Sequence, residues 1–354
     1  MKIGVANNLI PQNIAPLNAK KVVIFNGIGE TILSLPLGRL AQKSMGEKLY
    51  SFGALSDIHL GYSTATEDFR KALAYFNNTE DVVFTCICGD LTRAGSEENF
   101  AEYKSEVDTY SPNTPVYAIA GNHESYTDAV NWGQNGEAVV RSRMETYTHR
   151  PPNYNGNSLY YSFTQGNDVF IMVGVCADAA DFGTGGLQWL YETLEANRNK
   201  RCFVFQHIRP DDSCGNAYGI YANDIWNGTQ SVVFENLMKH YKNAIFFHGH
   251  SHLRFSLQTR TNLANVDEKY GRYSVHIPSL AAPRTGDITG ANSREDLYSE
   301  SEGYVVDVYE NHIVLRGRDF ITEKFLPIAT YCLDTTLQTI EAKTFTDSTG
   351  TIVT

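Results

Sequence analysis

Short runs of apolar residues, each ending in a polar loop that carries glycine or histidine, recur along the middle of the chain. Five stand out: KLYSFGALSDIHLG, DVVFTCICGDLTRAG, PVYAIAGNHES, RCFVFQHIRP and NAIFFHGHSH. Their near-continuous hydrophobicity predicts strands buried on both faces, as in α/β layers. Segments with helical spacing separate them, and we predict helices over 67–76, 96–110, 186–198 and 229–241. Alternating strands and helices indicate an α/β core.

The two ends of the chain differ from this core. Two β-rich runs around Asn26–Gly27 predict a hairpin, so we expect an N-terminal hairpin arm over 1–47 and one main domain over 48–325. Strands are predicted within 253–259, 272–280 and 303–320, the last as a hairpin that turns at Glu310–Asn311. Residues 326–354 are polar and end in a Thr-rich stretch, which predicts a loose tail or an attachment segment.

Composition and charge narrow the function classes. The 354 residues carry a formal net charge of -11, which disfavours nucleic acid and anionic membranes as partners. The N-terminus has no basic segment followed by an apolar one, and no window approaches a membrane span, so we expect a soluble, cytoplasmic protein. Six cysteines without a CxxC pair fit a reducing compartment.

Each of the five core strands ends in groups that can bind a cation. They are Asp57 and His59, Asp90, Asn122 with His123, His207, and His250 with His252. Ligands of open α/β layers bind beyond the carboxyl ends of strands, so these groups are expected to converge. A single histidine there is more often structural, but the recurrence at five strand ends favours a metal site over an ion-pair network.

Spacing and number indicate how such a site is arranged. If the chain stays extended, Asp57 and His59 point to the same side and face one cation. A bend after the last strand would let His250 and His252 serve two neighbouring cations. With His123 left over, the donors are too many for one tetrahedral ion and suit a metal pair, for which Asp90 is the candidate bridge.

The motifs SDIH, GDLT, GNHE, QH and GHSH resemble those of the calcineurin-like metallophosphoesterases, over about residues 48–320. The resemblance implies a two-sheet β-sandwich flanked by helices, with a dinuclear metal site at its edge. It implies Asp57, His59 and His252 on the first metal, Asn122, His207 and His250 on the second, and Asp90 between them. The expected reaction is attack of a metal-bridging hydroxide on a small phosphodiester or phosphomonoester.

Catalytic and substrate-binding roles follow from position. His123, beside the ligand Asn122, is the expected general acid, and Glu124 is expected to hold its imidazole, the alternative for Glu124 being a solvated loop carboxylate. Among Arg93, Arg209, Arg254 and Arg284, we expect Arg209 and Arg254 to bind the phosphate together with Asn122. The long aperiodic stretch 209–230 is predicted to be a substrate-side cap or else a surface insertion. The segment 277–284 resembles a loop that family members place beside the site.

Two differences from the motifs of purple acid phosphatases restrict which metals are expected. Purple acid phosphatases carry DxG and GDxxY, whereas this chain has His59 and Arg93 at those positions. This difference disfavours a ferric enzyme and leaves two divalent ions, Mn, Fe or Zn, as the expected cofactors. His248 matches none of the family positions and is expected to support the ligands.

Two other functions stay open. One is a nuclease, which the acidic balance disfavours. The other is a structural or attachment protein with a metallophosphoesterase-like core, because the N-terminal segment resembles leaders of phage or prophage structural proteins. In that case the arm would join a larger assembly, and the protein would be virion-associated.

Overall fold

The computed structural model describes residues 22–25, 31–35, 45–79, 81–127, 133–176, 182–209, 213–215, 229–256, 265–285 and 296–342. Near the N-terminus, β1 (Val22–Phe25) pairs antiparallel with β2 (Thr31–Leu35). The predicted turn at Asn26–Gly27 lies outside the described residues. An attachment role for this arm stays a prediction.

The first of two larger sheets has six strands in the order β15-β14-β13-β3-β4-β5. Its members are β3 (Lys48–Leu55), β4 (Val82–Ile87), β5 (Val116–Ala118), β13 (Glu302–Tyr309), β14 (His312–Asp319) and β15 (Lys324–Asp334). The three strands β3, β4 and β5 are parallel, and β13 and β14 form the predicted hairpin around Glu310–Asn311.

The second sheet has seven strands in the order β11-β12-β10-β9-β8-β7-β6. They are β6 (Asn155–Gly156), β7 (Tyr160–Gln165), β8 (Asp168–Val173), β9 (Cys202–Gln206), β10 (Ala244–His248), β11 (Val266–Asp267) and β12 (Tyr273–His276). Strands β8, β9, β10 and β12 run parallel. Strands β9, β10 and β12 match strands predicted from the sequence, whereas the β7–β8 hairpin was not predicted.

Helices cover the outer faces of both sheets. They are α1 (Ala65–Asn78), α2 (Glu97–Tyr110), α3 (Glu137–Tyr147), α4 (Gly186–Ala196) and α5 (Thr229–His240). Buried residues of α1, α2 and α3 cluster with the six-stranded sheet, and those of α4 and α5 cluster with the seven-stranded sheet. The predicted two-sheet sandwich flanked by helices is therefore confirmed. Among the described residues, no helix is long and apolar enough to cross a membrane.

Aromatic rings fill the space between the two sheets. Phe52 of the six-stranded sheet meets Phe170 and Phe203 of the other sheet edge-on, with centroids 5.1 and 5.3 Å apart. Edge-to-face pairs of this kind add to the free energy gained from burying the rings. The sheets are consequently held in a fixed relative position, which fixes the strand ends that carry the candidate ligands.

Two boundaries differ from the predictions. The segment 253–256, expected to begin a strand, is not in one, because the amide of Phe255 donates to the Glu302 carboxylate and that of Arg254 to the Arg284 carbonyl. At the other end, β15 runs to Asp334 and pairs with β14, so the sheet extends past the expected domain end at residue 325. Residues 343–354 of the expected tail lie outside the described part.

Candidate metal centre

The candidate ligands lie in the loops that follow five parallel strands. Asp57 and His59 follow β3, Asp90 follows β4 and Asn122 follows β5, all in the six-stranded sheet. His207, His250 and His252 follow β9 and β10 of the seven-stranded sheet. The site is therefore built across the edge where the two sheets meet, and each sheet contributes part of it.

Two groups of donors form there, and they share one carboxylate. The first donor group is Asp57, His59, Asp90 and His252; the second donor group is Asp90, His207 and His250. Within each group, one ligand atom per residue lies within 4.8 Å of all the others. The side-chain oxygen of Asn122 lies 3.1 Å from Nδ1 of His250, beside the second donor group. The two groups contain the Asp and His residues that the resemblance assigned to each metal, and they share Asp90; their binding of metal ions stays a prediction.

The spacing of the donor atoms fits a shared cation. Nε2 of His252 lies 3.0 Å from Oδ1 of Asp57, and Nε2 of His207 lies 3.0 Å from Oδ2 of Asp90. Nε2 of His59 lies 2.9 Å from Nε2 of His252 and 3.6 Å from Oδ2 of Asp90. Donors about 2.1 Å from one ion in tetrahedral or octahedral geometry would lie roughly 3.0–3.4 Å apart. The residues present therefore fit a divalent metal in each group.

Backbone amides orient both carboxylates. The amide of His250 donates to Oδ2 of Asp57 over 3.0 Å, and the amide of His123 donates to Oδ1 of Asp90 over 3.0 Å. Each aspartate therefore has one oxygen held by the main chain, while its other oxygen faces imidazole nitrogens. The buried Oδ1 of Asp57 and Nε2 of His207 each lie 3.0 Å from an atom of another candidate ligand, as expected for atoms that share a cation.

The loop backbone departs from the extended form predicted by the sequence. Positive φ angles of 54°, 50°, 52°, 71° and 60° occur at Asp57, His59, Asp90, His250 and His252. Left-handed backbone is uncommon outside glycine and costs free energy, so its concentration here indicates that function fixes these loops. Asp57 and His59 do face one site, but through two left-handed residues rather than through strand alternation.

Glycines in the motifs allow the loops to approach closely. A Cβ at Gly249 would lie 1.9 Å from Oγ of Ser56 and 2.5 Å from Oδ2 of Asp57. One at Gly121 would lie 2.2 Å from Oδ1 of Asp90. Any larger residue at either position would therefore displace a candidate ligand.

Burial and neighbouring charges set the protonation of the donors. Burial and the charge of His123 hold the pKa of His59 well below its usual value. Burial, with the charge of His207, lowers the pKa of His250 to about 3, and burial also lowers that of His252. These imidazoles are neutral near pH 7 and so keep a lone pair for a cation.

For the two aspartates and His207, neighbouring charges outweigh the effect of burial on the pKa. Burial alone would raise the pKa of Asp57, but His252 and His207 outweigh it and hold the pKa below its usual range. His207 and His123 do the same for Asp90. Burial would lower the pKa of His207, yet Asp90 and Asp57 raise it to about 9. The site thus holds two ionised carboxylates that favour positive charge beside them.

His123 lies beside both donor groups. Its Nδ1 is 2.6 Å from the Arg93 carbonyl, its Nε2 is 3.9 Å from Oδ2 of Asp90, and its side chain is 18% exposed. The carbonyl accepts a hydrogen bond from Nδ1, and Nε2 is the ring nitrogen that faces Asp90.

Glu124 does not play the predicted part of holding His123. Its buried carboxylate accepts hydrogen bonds from the amide and hydroxyl of Thr92 at 2.9 and 3.0 Å, and from the amide of Gly121 at 2.7 Å. His123 and Glu124 are consecutive in a 3-10 turn, so their side chains point in different directions. Glu124 therefore joins the loops that follow β4 and β5, and the alternative of a solvated loop carboxylate is also wrong because the residue is fully buried.

The arginines are placed differently from one another. Arg209 is 1% exposed, and its charge helps to lower the pKa of His250. Arg254 forms a 3.0 Å ion pair with Glu300. The charge of Arg284 acts on His252, and Arg93 lies over the ring of Tyr62. A phosphate-binding role for Arg209 and Arg254 stays a prediction.

Several neighbours of the site escaped the sequence analysis. Tyr62 packs edge-on against His59, and the hydroxyl of Tyr126 accepts a hydrogen bond from Nδ2 of Asn122 over 3.0 Å. By contrast, Ser279, which donates to the main-chain oxygen of Asp57, belongs to the segment 277–284 that was expected beside the site. Tyr62 and Tyr126 are not common ligands of divalent ions, so only their spatial position reveals them.

His248 lies in a different environment from its two neighbours in the motif. Its Nε2 is 3.3 Å from Sγ of Cys214, and its ring lies 5.6 Å from that of His276. His248 was expected to support the ligands directly. It instead contacts the segment 213–215, which belongs to the predicted cap. The rest of that cap, at 210–212 and 216–228, lies outside the described residues.

Comparison with solved structures shows the same fold in other proteins. A purple acid phosphatase, PPD1 from yellow lupin (Lupinus luteus) seeds, matches with a TM-score of 0.52 and 14% identity over 89% of this chain. The match spans 59% of the lupin enzyme. GAP50, the anchor in the inner membrane complex of Plasmodium, matches with a TM-score of 0.50 and 12% identity, over 84% of this chain and 90% of that one. At such identities the likeness concerns the fold alone.

Sequence comparison identifies the family. No curated protein matches the chain. The model of the calcineurin-like phosphoesterase family matches residues 50–254, which is more than half of the chain and contains every candidate ligand. The chain belongs to the calcineurin-like phosphoesterase family.

Proposed function

We propose that this protein is a dinuclear-metal phosphoesterase that hydrolyses a small phosphodiester or phosphomonoester. The observation that carries the proposal is the pair of donor groups sharing Asp90. Asp57, His59, Asp90 and His252 would hold one ion; Asp90, Asn122, His207 and His250 would hold the other. Divalent Mn, Fe or Zn suits this mixture of oxygen and nitrogen donors.

Two bound cations would lower the pKa of a water molecule and offset the charge that develops on the phosphoryl oxygens. The protein's own contribution is to hold the ligands that would position the two cations. The amides of His250 and His123 hold the aspartates, and neutral His59, His250 and His252 offer lone pairs without first losing a proton. No protein nucleophile is required.

His123 is the group we assign to protonate the leaving oxygen. The Arg93 carbonyl fixes its ring through Nδ1, and its backbone amide is bound to Asp90, so Nε2 has a defined position next to the donor groups. Partial exposure lets the imidazole regain a proton from solvent after each turnover. Asp90 and Asn122 would act as ligands, a substrate contact of Asn122 stays a prediction, and Glu124 would act by joining their loops.

Arg209 supports binding of the phosphate. Its charge is buried next to the second donor group, where screening by water is weak. One nitrogen of Arg254 is already engaged in an ion pair with Glu300, so we rank Arg209 above it.

The first test is hydrolysis of bis(p-nitrophenyl) phosphate and p-nitrophenyl phosphate by chelator-stripped protein, with and without added Mn(II). Release of nitrophenol that depends on the metal is expected. Absence of turnover of both esters with Mn(II), Fe(II) and Zn(II) would contradict the proposal.

The second test separates the roles of two residues. Asp90→Ala should lose bound metal and activity together, because Asp90 belongs to both donor groups. His123→Ala should keep its metal but slow turnover, by about 10²–10⁴-fold for esters with poor leaving groups. Equal loss of metal in the two variants would overturn the assignment of His123 as the acid.

A further inference from the structure

Four rings form a row next to the first donor group. In order they are Tyr62, His59, His123 and Tyr126, with centroids 5.4, 4.5 and 4.9 Å apart and each pair edge-to-face. His59 is buried, whereas the other three are partly exposed. Solvent-accessible rings therefore stand on both sides of the metal-binding imidazole, and one of them is His123.

The guanidinium group of Arg93 lies at the Tyr62 end of this row. The guanidinium carbon of Arg93 lies 4.9 Å from the centroid of the Tyr62 ring, and the carbonyl of the same residue fixes His123. The Nε atom of Arg93 is buried and has no hydrogen-bond partner among the described residues. Arg93 thus ties the outermost ring to the proton donor and keeps their spacing fixed.

We propose that Tyr62, His123 and Tyr126 form a subsite for an aromatic leaving group, so that the substrate is an aryl phosphate ester. The inference rests on the proposed function, because His123 must contact the leaving oxygen. A ring bonded directly to that oxygen lies beside His123 and next to Tyr126, whose centroid is 4.9 Å from that of His123, and Tyr62 stands further along the same row beyond His59. Planar groups gain affinity from such offset or edge-on contacts, whereas a small alkyl group does not fill the space.

The test measures binding rather than turnover. Phenylphosphonate and methylphosphonate, which are not hydrolysed, are titrated into the Mn(II)-loaded protein by isothermal calorimetry. We expect the phenyl compound to bind about tenfold more tightly than the methyl compound. Tyr62→Leu and Tyr126→Leu should each reduce that ratio by about threefold or more. The matched variants Tyr62→Phe and Tyr126→Phe keep the rings and should keep the ratio.

The possible failures are distinct. Equal affinity for the two phosphonates in the wild-type protein would overturn the subsite and leave the phosphoesterase proposal intact. No binding of either compound to metal-loaded protein that hydrolyses bis(p-nitrophenyl) phosphate would overturn the subsite alone, whereas no binding together with no turnover of either nitrophenyl ester would overturn both proposals. If uridine 5'-monophosphate shows a ring-dependent preference over ribose 5-phosphate while phenylphosphonate shows none over methylphosphonate, the leaving group is a nucleoside and the aryl assignment is wrong.

Discussion

Gly121→Ala tests whether the close packing of the loops sets the metal geometry. The added Cβ would lie 2.2 Å from Oδ1 and 2.4 Å from the backbone nitrogen of Asp90, and 2.9 Å from Cδ2 of His207. Real Cβ contacts almost never fall below 3.0 Å. The Asp90 loop must therefore move by about 0.6–1 Å, whereas metal–ligand distances tolerate only about 0.2 Å.

The backbone at position 121 cannot move away from Asp90 without weakening a hydrogen bond. Its amide donates to the buried carboxylate of Glu124 over 2.7 Å, and moving away would leave that carboxylate short of a donor. We expect overpacking to cost about 1–3 kcal/mol in the free energy of unfolding. A ligand misplaced by this distance should lower kcat by about 10²-fold.

The assay combines metal content by mass spectrometry, thermal unfolding and turnover of bis(p-nitrophenyl) phosphate. Gly136→Ala is the matched control, because a Cβ there would meet nothing within 4 Å and the residue has a negative φ of -74°. The control should keep its metal and its activity. If Gly121→Ala also kept two metal ions and a wild-type kcat, the reasoning from close approach would be refuted.

Two further predictions concern stability. Arg201→Ala leaves the buried carboxylate of Asp168 without its 2.7 Å ion pair and should lower the free energy of unfolding by about 3–5 kcal/mol, measured by urea titration. Lys71→Ala breaks an exposed ion pair and should lower it by less than about 1 kcal/mol. Similar losses in the two variants would contradict the role of burial. Burial raises the pKa of Glu302 to about 8. The folded state therefore binds an extra proton between the usual pKa and about 8, and stability should fall as pH rises through that window. Glu302→Gln keeps an acceptor for the amide of Phe255 but cannot ionise. Between about pH 5 and pH 8, the melting temperature of the metal-stripped variant should therefore fall less than that of the metal-stripped wild type. An equal fall in both proteins would refute the raised pKa of Glu302.

The candidate ligands could be predicted from the sequence because each follows a core strand. Parallel strands place their carboxyl ends at one edge of a sheet, which brings Asp57 and Asp90 together, and His207 joins them because the second sheet packs with its strand ends at the same edge. The division of His250 and His252 between two donor groups also followed from the motif and the resemblance. Residue type and strand order were sufficient for these positions.

Other features depend on contacts that sequence proximity does not reveal. Arg254 lies two residues after His252 in the chain, which predicts a place near the site, but its ion-pair partner is Glu300. Glu124 was assigned to its neighbour His123, although a 3-10 turn directs its carboxylate to Thr92 instead. In both cases the decisive partner comes from a distant loop.

Weak amphipathicity explains a missed helix. In α3, only Val140 and Met144 are buried, so the apolar stripe that marks a helix in sequence is short. The strand expected from residue 253 failed for a different reason, since its amides are taken by a carboxylate and a loop carbonyl rather than by a neighbouring strand.

The distribution of donors over both sheets has a consequence for the order of folding. His59 and His252, whose Nε2 atoms lie 2.9 Å apart, are separated by 193 residues in the chain. Contacts of such long range form slowly, because loop closure must precede any gain in free energy. The two donor groups can exist only after the sheets have packed together. Added metal should therefore slow unfolding while leaving the early rate of refolding unchanged, and metal uptake would mark the last step of folding.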